Sequence, residues 1–124
     1  AAKEAGRYAL GVNSDQEAIF KDSDPEMAAK VASSMLKKVD VTLMRAFDLF
    51  VAGTLPKGKV ESIGLKEDAV GLVETGNYAS LAKDELKAKV NAAKAAIIDG
   101  SIKVSSGFAL TPEALNALRD SVRP

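Results

Sequence analysis

Two sets of side chains in this sequence could bind a ligand: Asp15, just after a short apolar run, and Lys37 and Lys38, at the start of a long helical pattern. A carboxylate can accept hydrogen bonds from two adjacent hydroxyls of a polyol, and an ammonium can donate to ligand oxygens. Structural roles compete with these. Asp15 could cap a nearby backbone N–H, which the residues alone favour, and Lys37 and Lys38 could be solvated lysines.

Other kinds of chemistry have little support in the composition. The 124 residues include no His, Cys or Trp, which removes thiol nucleophiles, imidazole bases and the usual zinc and copper ligands. Asp22, Asp24 and Glu26 are close in sequence but lack the calcium-loop pattern, so we interpret them as a solvated acidic loop. Lys plus Arg and Asp plus Glu both number 17, whereas nucleic-acid binders usually carry a basic excess. The composition still allows a carboxylate metal site or a Ser or Lys nucleophile, but it favours binding over catalysis. We therefore expect a binding protein without metal or cofactor, not an enzyme.

The elements that must position these groups follow from apolar periodicity. Residues 30–36 are ambiguous between helix and strand, and Thr111 with Pro112 is a typical helix start. The helix over residues 38–52 should be largely buried, because apolar residues recur along it at steps of four, four and three. The alternation of helices and strands predicts an α/β layer structure. The predicted order is helix 1–7, a buried strand 8–12, helix 38–52, strand 59–65, helix 82–99, strand 101–105 and a last helix from residue 112.

Four stretches together resemble one family of proteins. They are Tyr8-Ala-Leu-Gly-Val-Asn-Ser-Asp-Gln16, Ser34-Met-Leu-Lys-Lys-Val-Asp40, Gly64-Leu-Lys-Glu-Asp-Ala-Val-Gly-Leu72 and Ile97-Ile-Asp-Gly100 followed by Ile102-Lys-Val104. In this order and spacing they resemble the basic membrane protein family, substrate-binding lipoproteins of ABC transporters, several of which bind purine nucleosides. Residues 1–105 carry the resemblance.

The resemblance implies the fold class and the domain organisation. It implies an α/β fold of the type I periplasmic-binding-protein kind, in which two lobes flank a cleft, with this chain as the C-terminal part. Residues 1–105 would be the C-terminal portion of the binding domain: 1–30 and 66–105 in the second lobe, and 36–58 carrying a helix of the first lobe. Residues 106–124 would be a C-terminal extension helix. The chain opens on Ala1-Ala2-Lys3 without a helix cap, which we interpret as the end of a helix in a longer protein.

The resemblance also implies site residues. Asp15 and Lys37 would bind the two ribose hydroxyls of the ligand. Ser14 and Gln16 are weaker candidates, and the segment from Asp68 to Gly71 would line the cleft. The sequence departs from the family pattern at Asn13, where Asp is frequent, and at Ala69, where Gly is frequent.

The function implied is capture of a nucleoside for an ABC transporter by lobe closure. The implied partners are the small-molecule ligand, the permease and the remaining lobe of the same protein, without nucleic acid. The implied location is periplasmic or on the cell surface, with membrane contact only through an N-terminal lipid anchor outside this chain. The alternatives are a receptor of the same fold for a sugar or another ribityl ligand, and a sensory or regulatory protein that reuses the fold.

Overall fold

A computed structural model describes residues 2–107 and 110–123 of the chain. Its strands are β1 (Ala9–Asn13), β2 (Val31–Lys37) and β3 (Val70–Leu72). Its helices are α1 (Gln16–Phe20), α2 (Pro25–Ala28), α3 (Val39–Val51), α4 (Gly76–Leu81), α5 (Asp84–Ile98) and α6 (Pro112–Ser121). This mixture confirms the α/β class predicted from the sequence.

The strands form one sheet in the order β1-β2-β3. β1 runs parallel to β2, with Asn13 opposite Leu36, and β3 runs antiparallel to β2, with Gly71 opposite Leu36. The parallel pair requires a crossover connection, which α1 and α2 provide. The carboxyl ends of β1 and β2 therefore meet at the same end of the sheet.

The buried core lies around the first half of β2. Ser33 and Ser34 are both buried there, Ser34 with only 1% of its surface exposed. The Ser33 hydroxyl donates to the Val73 carbonyl at 2.7 Å, and the Val73 amide donates to the Ser34 carbonyl at 2.9 Å. These bonds satisfy polar groups that would be costly to bury unpaired. The buried apolar side chains are Ala28, Val31, Ala69, Val73 and Ala82.

Helix α4 is joined to this core through Asn77. The Asn77 side-chain amide donates to the carbonyls of Ala28 and Val31, each at 2.9 Å, and its backbone amide donates to Glu17 Oε2 at 2.9 Å. One residue thereby connects α4 to α1, to α2 and to the start of β2.

The helix boundaries follow local rules that the sequence displays. Thr111 caps α6 by accepting from the Ala114 amide at 3.3 Å, and Pro112 takes the first helical position, which confirms the predicted start. After the C-terminal end of α5, Gly100 has φ of +84°, a left-handed conformation that suits glycine after a helix. Among the described residues, no helix is long and apolar enough to cross a membrane.

Two predictions of burial are wrong in this chain. The strand predicted at residues 8–12 exists as β1, but Leu10 and Val12 are more than half exposed. The helix predicted at 38–52 exists as α3, yet Leu43, Phe47 and Phe50 are each about 60% exposed. The apolar pattern indicates surfaces that favour burial, but the described residues do not include enough chain to cover them.

Three predicted elements are replaced by other structure. Residues 59–64 have no regular secondary structure, and a turn begins at Leu65 in which the Ala69 amide donates to the Gly64 carbonyl. Residues 101–105 form no strand, since the amides of Ser101 and Ile102 are bonded to Asp99 and Ala96 at the end of α5.

The predicted helix at residues 1–7 is also replaced. Ala1 lies outside the described residues, and residues 2–6 form turns that end at Gly6, with φ of +63°. The Arg7 amide donates to the Ala2 carbonyl across these turns.

Candidate functional site

A cleft lies at the carboxyl ends of the parallel strands β1 and β2. Its volume is about 420 Å³, and most of the side chains that line it are apolar. In open α/β sheets, ligands bind at this end of the strands, and binding clefts typically combine apolar walls with a few polar groups. The lining residues are Val12, Asn13, Met35, Leu36, Lys37, Leu65, Val70, Gly71, Leu72, Val90 and Lys94.

Lys37 and Lys38 are adjacent in sequence, but the structure separates them. Lys37 is the last residue of β2 and lines the cleft. Within residues 2–107 and 110–123, its ammonium group makes no hydrogen bond or ion pair. Lys38 instead places Nζ 2.5 Å from Asp68 Oδ1. Lys37 therefore ends a strand at the cleft, whereas Lys38, which precedes the first residue of α3, is engaged within the chain.

Asp15 follows the cleft-lining end of β1 by two residues and caps α1. Its Oδ1 accepts from the Ala18 amide at 3.2 Å. The cap is the structural role that the residues alone favoured for Asp15. A carboxylate has about four acceptor positions, so this one bond leaves most of its acceptor capacity unused.

Ser14 and Gln16 flank Asp15 and differ in how they are held. Ser14 is exposed and lies at a bend. Gln16 is bound on both its backbone and its side chain: its amide donates to Ser34 Oγ at 3.0 Å, and its Nε2 donates to the Val12 carbonyl at 3.3 Å. The Gln16 side chain therefore faces the chain itself, and it does not line the cleft described above.

Asp68 lies in the turn that leads into β3. It has φ of +54° and is paired with Lys38, while Val70 and Gly71 just beyond it line the cleft. Glu67 Oε2 accepts from the Gly64 amide at 2.8 Å, and this bond holds the pKa of Glu67 below its ordinary value. The carboxylates of Glu67 and Asp68 thus fix the turn, whose first residue, Leu65, also lines the cleft.

Two polar residues of the cleft were missed as site residues by the sequence reasoning. Asn13 ends β1 with φ of +74°, a conformation that Asn tolerates better than most residues. Lys94, on α5, also lines the cleft and pairs with Glu74 Oε1 at 2.6 Å. The departure from the family pattern at Asn13 was a usable signal, whereas Lys94 is one of several lysines on its helix and has no distinguishing pattern.

The acidic loop predicted to be solvated makes specific contacts. Asp24 caps α2 by accepting from the Met27 amide at 2.9 Å, and it also pairs with Lys3. The Met27 hydrogen bond, followed by the bond from Lys3, lowers the pKa of Asp24. Among the described residues, no group of three or more acidic side chains is arranged to hold a metal ion.

Comparison with known proteins identifies relatives over most of the chain. The sequence model of a family described as ABC transporter substrate-binding protein PnrA-like (Bmp) matches residues 1–106. The CD4+ T-cell-stimulating antigens of Listeria monocytogenes serovar 1/2a and Listeria innocua serovar 6a are each 35% identical to the chain over 99 residues. These matches cover 78% of the chain and 27% of each relative, so the chain spans about a quarter of the length of either antigen.

Proposed function

Since this chain belongs to the Bmp family of ABC transporter substrate-binding proteins, we propose that it supplies part of a nucleoside-binding site in a longer protein of that family. The protein captures its ligand outside the cytoplasm and delivers it to a permease. The proposal involves binding alone, without a covalent step.

The cleft at the carboxyl ends of β1 and β2 is the observation that carries this proposal. It joins apolar walls to the ammonium group of Lys37, which no described residue engages. The loop that bears Asp15 begins at Asn13, which lines the same cleft. Asp15 itself does not line the cleft and lies two residues beyond Asn13. An apolar space lined by Lys37, with a carboxylate on the adjoining loop, suits a ligand with a flat apolar part and a hydroxyl-bearing part.

We assign the ribose hydroxyls of the ligand to Asp15 and Lys37. Asp15 accepts from two adjacent hydroxyls, and Lys37 donates to the oxygens of the same pair. Charge-assisted hydrogen bonds of this kind are about twice as strong as neutral ones. Ser14 and the backbone from Asp68 to Gly71 are candidates for further contacts, and Gln16 acts mainly by shaping the loop.

The remaining part of the protein completes the site in this proposal. Residues 1–30 and 66–105 belong to one lobe, α3 packs in the other lobe, and residues 106–124 form an extension. Ligand binding favours the closed arrangement of the lobes because the closed form makes more contacts with the ligand. A lipid anchor preceding this part of the chain would hold the protein at the outer surface of the cytoplasmic membrane.

Calorimetric titration of the full-length protein with adenosine tests the assignment of Asp15. Asp15→Asn is the informative variant, because Asn caps helices as well as Asp does but lacks the charge that strengthens bonds to hydroxyls. We expect affinity to fall by more than about tenfold, the equivalent of about 1.4 kcal/mol.

Asp22→Asn is the matched control, because it removes the same charge from the loop after α1, and it should bind like the wild type. Unchanged affinity in Asp15→Asn would contradict the ribose assignment. Titration with ribose in parallel distinguishes a nucleoside receptor from a sugar receptor, since only the latter saturates with ribose alone.

A further inference from the structure

Ser34 is the most deeply buried polar side chain of the described chain, with 1% of its surface exposed. It lies on β2, and its hydroxyl oxygen accepts from the backbone amide of Gln16 at 3.0 Å. Gln16 is the first residue of α1 and directly follows Asp15. The bond therefore ties the loop that carries the proposed ribose-binding carboxylate to the central strand of the sheet.

Two further contacts hold the same loop. Gln16 Nε2 donates back to the Val12 carbonyl at 3.3 Å, and Asp15 Oδ1 accepts from the Ala18 amide at 3.2 Å. These two bonds fix the loop only to its own neighbours in sequence. The Ser34 bond, in contrast, connects the loop across 18 residues to another strand.

The backbone beside this bond is shaped to admit it. Gly11 lies on β1 next to Ser34 and Gln16, and a Cβ at Gly11 would come within 2.5 Å of Gln16 Cγ and into contact with Ser34 Oγ. Real Cβ atoms do not approach other atoms so closely, so a side chain at Gly11 would have to displace one of the two partners. Glycine at this position allows the loop to lie directly against β2.

We propose that Ser34 is a positioning residue for ligand binding, which sets Asp15 at a fixed distance from Lys37. Both members of the proposed ribose-binding pair are then held at fixed positions relative to β2. Lys37 belongs to β2, about 10 Å along the strand from Ser34 at the usual rise of about 3.3 Å per residue, and Asp15 is held to Ser34 through Gln16. The inference rests on the proposed function, because it concerns the same site.

A double-mutant cycle in the full-length protein tests this inference. Ser34→Ala removes the acceptor, and Asp15→Asn removes the charge that the acceptor is proposed to position. Adenosine affinity is measured by calorimetry for the wild type, both single variants and the double variant. We expect Ser34→Ala to weaken adenosine binding by roughly threefold to tenfold, the range for one hydrogen bond, and to have little further effect in the Asp15→Asn background.

Ser33→Ala is the matched control. Ser33 is the neighbouring buried serine of β2, but its hydroxyl donates to the Val73 carbonyl and not to the Asp15 loop. Thermal unfolding should show both serine variants destabilised, whereas only Ser34→Ala should lose adenosine affinity. If Ser34→Ala does not fold, Ser34→Cys replaces it in the cycle, since it keeps the shape with a weaker acceptor.

The outcomes separate the two proposals. If Ser34→Ala leaves affinity unchanged, or lowers it equally in the wild-type and Asp15→Asn backgrounds, the positioning role is overturned while the nucleoside site stays intact. Equal loss in Ser33→Ala would also overturn it, because the effect would then be one of general stability. A wild-type protein that does not bind adenosine would overturn the proposed function itself, and this inference with it.

Discussion

The first half of β2 and helix α3 are consecutive in sequence and opposite in character. From Val31 to Ser34 the chain is almost fully buried, and its polar groups are satisfied by residues of the chain itself. Along α3, large apolar side chains such as Phe47 and Phe50 are about 60% exposed. One region is complete within these residues, and the other presents a surface suited to contact with further protein.

The Asp15 loop and helix α3 differ in where their stabilising contacts come from. The Asp15 loop is held by short-range contacts and by one bond to Ser34, all supplied within residues 11–34. The apolar residues of α3 recur with the helical period and form one exposed face. Exposed apolar patches of this kind mark interaction surfaces. The local geometry of the candidate site therefore depends on contacts within these residues.

The largest expected effect concerns α3 in the 124-residue chain studied alone. Full burial of each large apolar side chain contributes about 1.5–3 kcal/mol, so we expect the isolated chain to associate through this helix. The triple variant Leu43→Lys, Phe47→Lys and Phe50→Lys should shift the chain strongly toward monomer in sedimentation velocity experiments.

The control for this prediction adds the same charge elsewhere. Ala88, Ala92 and Ala95 are exposed on α5, and their replacement by Lys should leave association largely unchanged. A wild-type chain that stays a compact monomer over the accessible concentration range would contradict the inference that the exposed face of α3 is an interaction surface.

A smaller effect is expected at the buried contact between Gly11, Ser34 and Gln16. Gly11→Ala in the full-length protein inserts a methyl group between Ser34 and Gln16, and overpacking of this kind typically costs about 1–3 kcal/mol. The free energy of unfolding measured with urea should fall by that amount, and adenosine affinity should fall with it because the Asp15 loop is displaced.

Gly64→Ala is the comparison for that variant. A Cβ at Gly64 would meet no atom within 4 Å, and its backbone is not in the left-handed region. Its stability should therefore remain close to that of the wild type. If the two glycine variants are equally stable, the close packing of the loop against β2 is not the constraint that we infer.

The sequence was most informative where structure depends on local rules. The cap at Thr111 and the helical period of α3 are decided by neighbouring residues, and both were predicted. The strands expected at residues 59–65 and 101–105 were not found, because a strand also needs a partner and the pattern of one segment cannot supply it. β3 was missed for a related reason, since only three residues pair with β2.

Part of the candidate site could also be predicted from the sequence. The family resemblance indicated Asp15 and Lys37, and the end-of-strand position of the first made a ligand role reasonable. The resemblance did not reveal that the neighbouring Lys38 pairs with Asp68, because this contact joins segments 30 residues apart in sequence. The bond between Ser34 and Gln16 links distant segments and leaves no trace in local sequence.

The contrast between Lys37 and Lys38 gives the most direct test of the central claim that this cleft binds a nucleoside through Asp15 and Lys37. Adenosine is titrated calorimetrically into the full-length wild type and into Lys37→Met and Lys38→Met, two variants that remove the same charge from adjacent positions. We predict saturable binding by the wild type, an affinity roughly tenfold lower for Lys37→Met, the scale of one charge-assisted hydrogen bond, and nearly wild-type affinity for Lys38→Met. Equal affinity of Lys37→Met and the wild type, or a larger loss in Lys38→Met, would contradict the account.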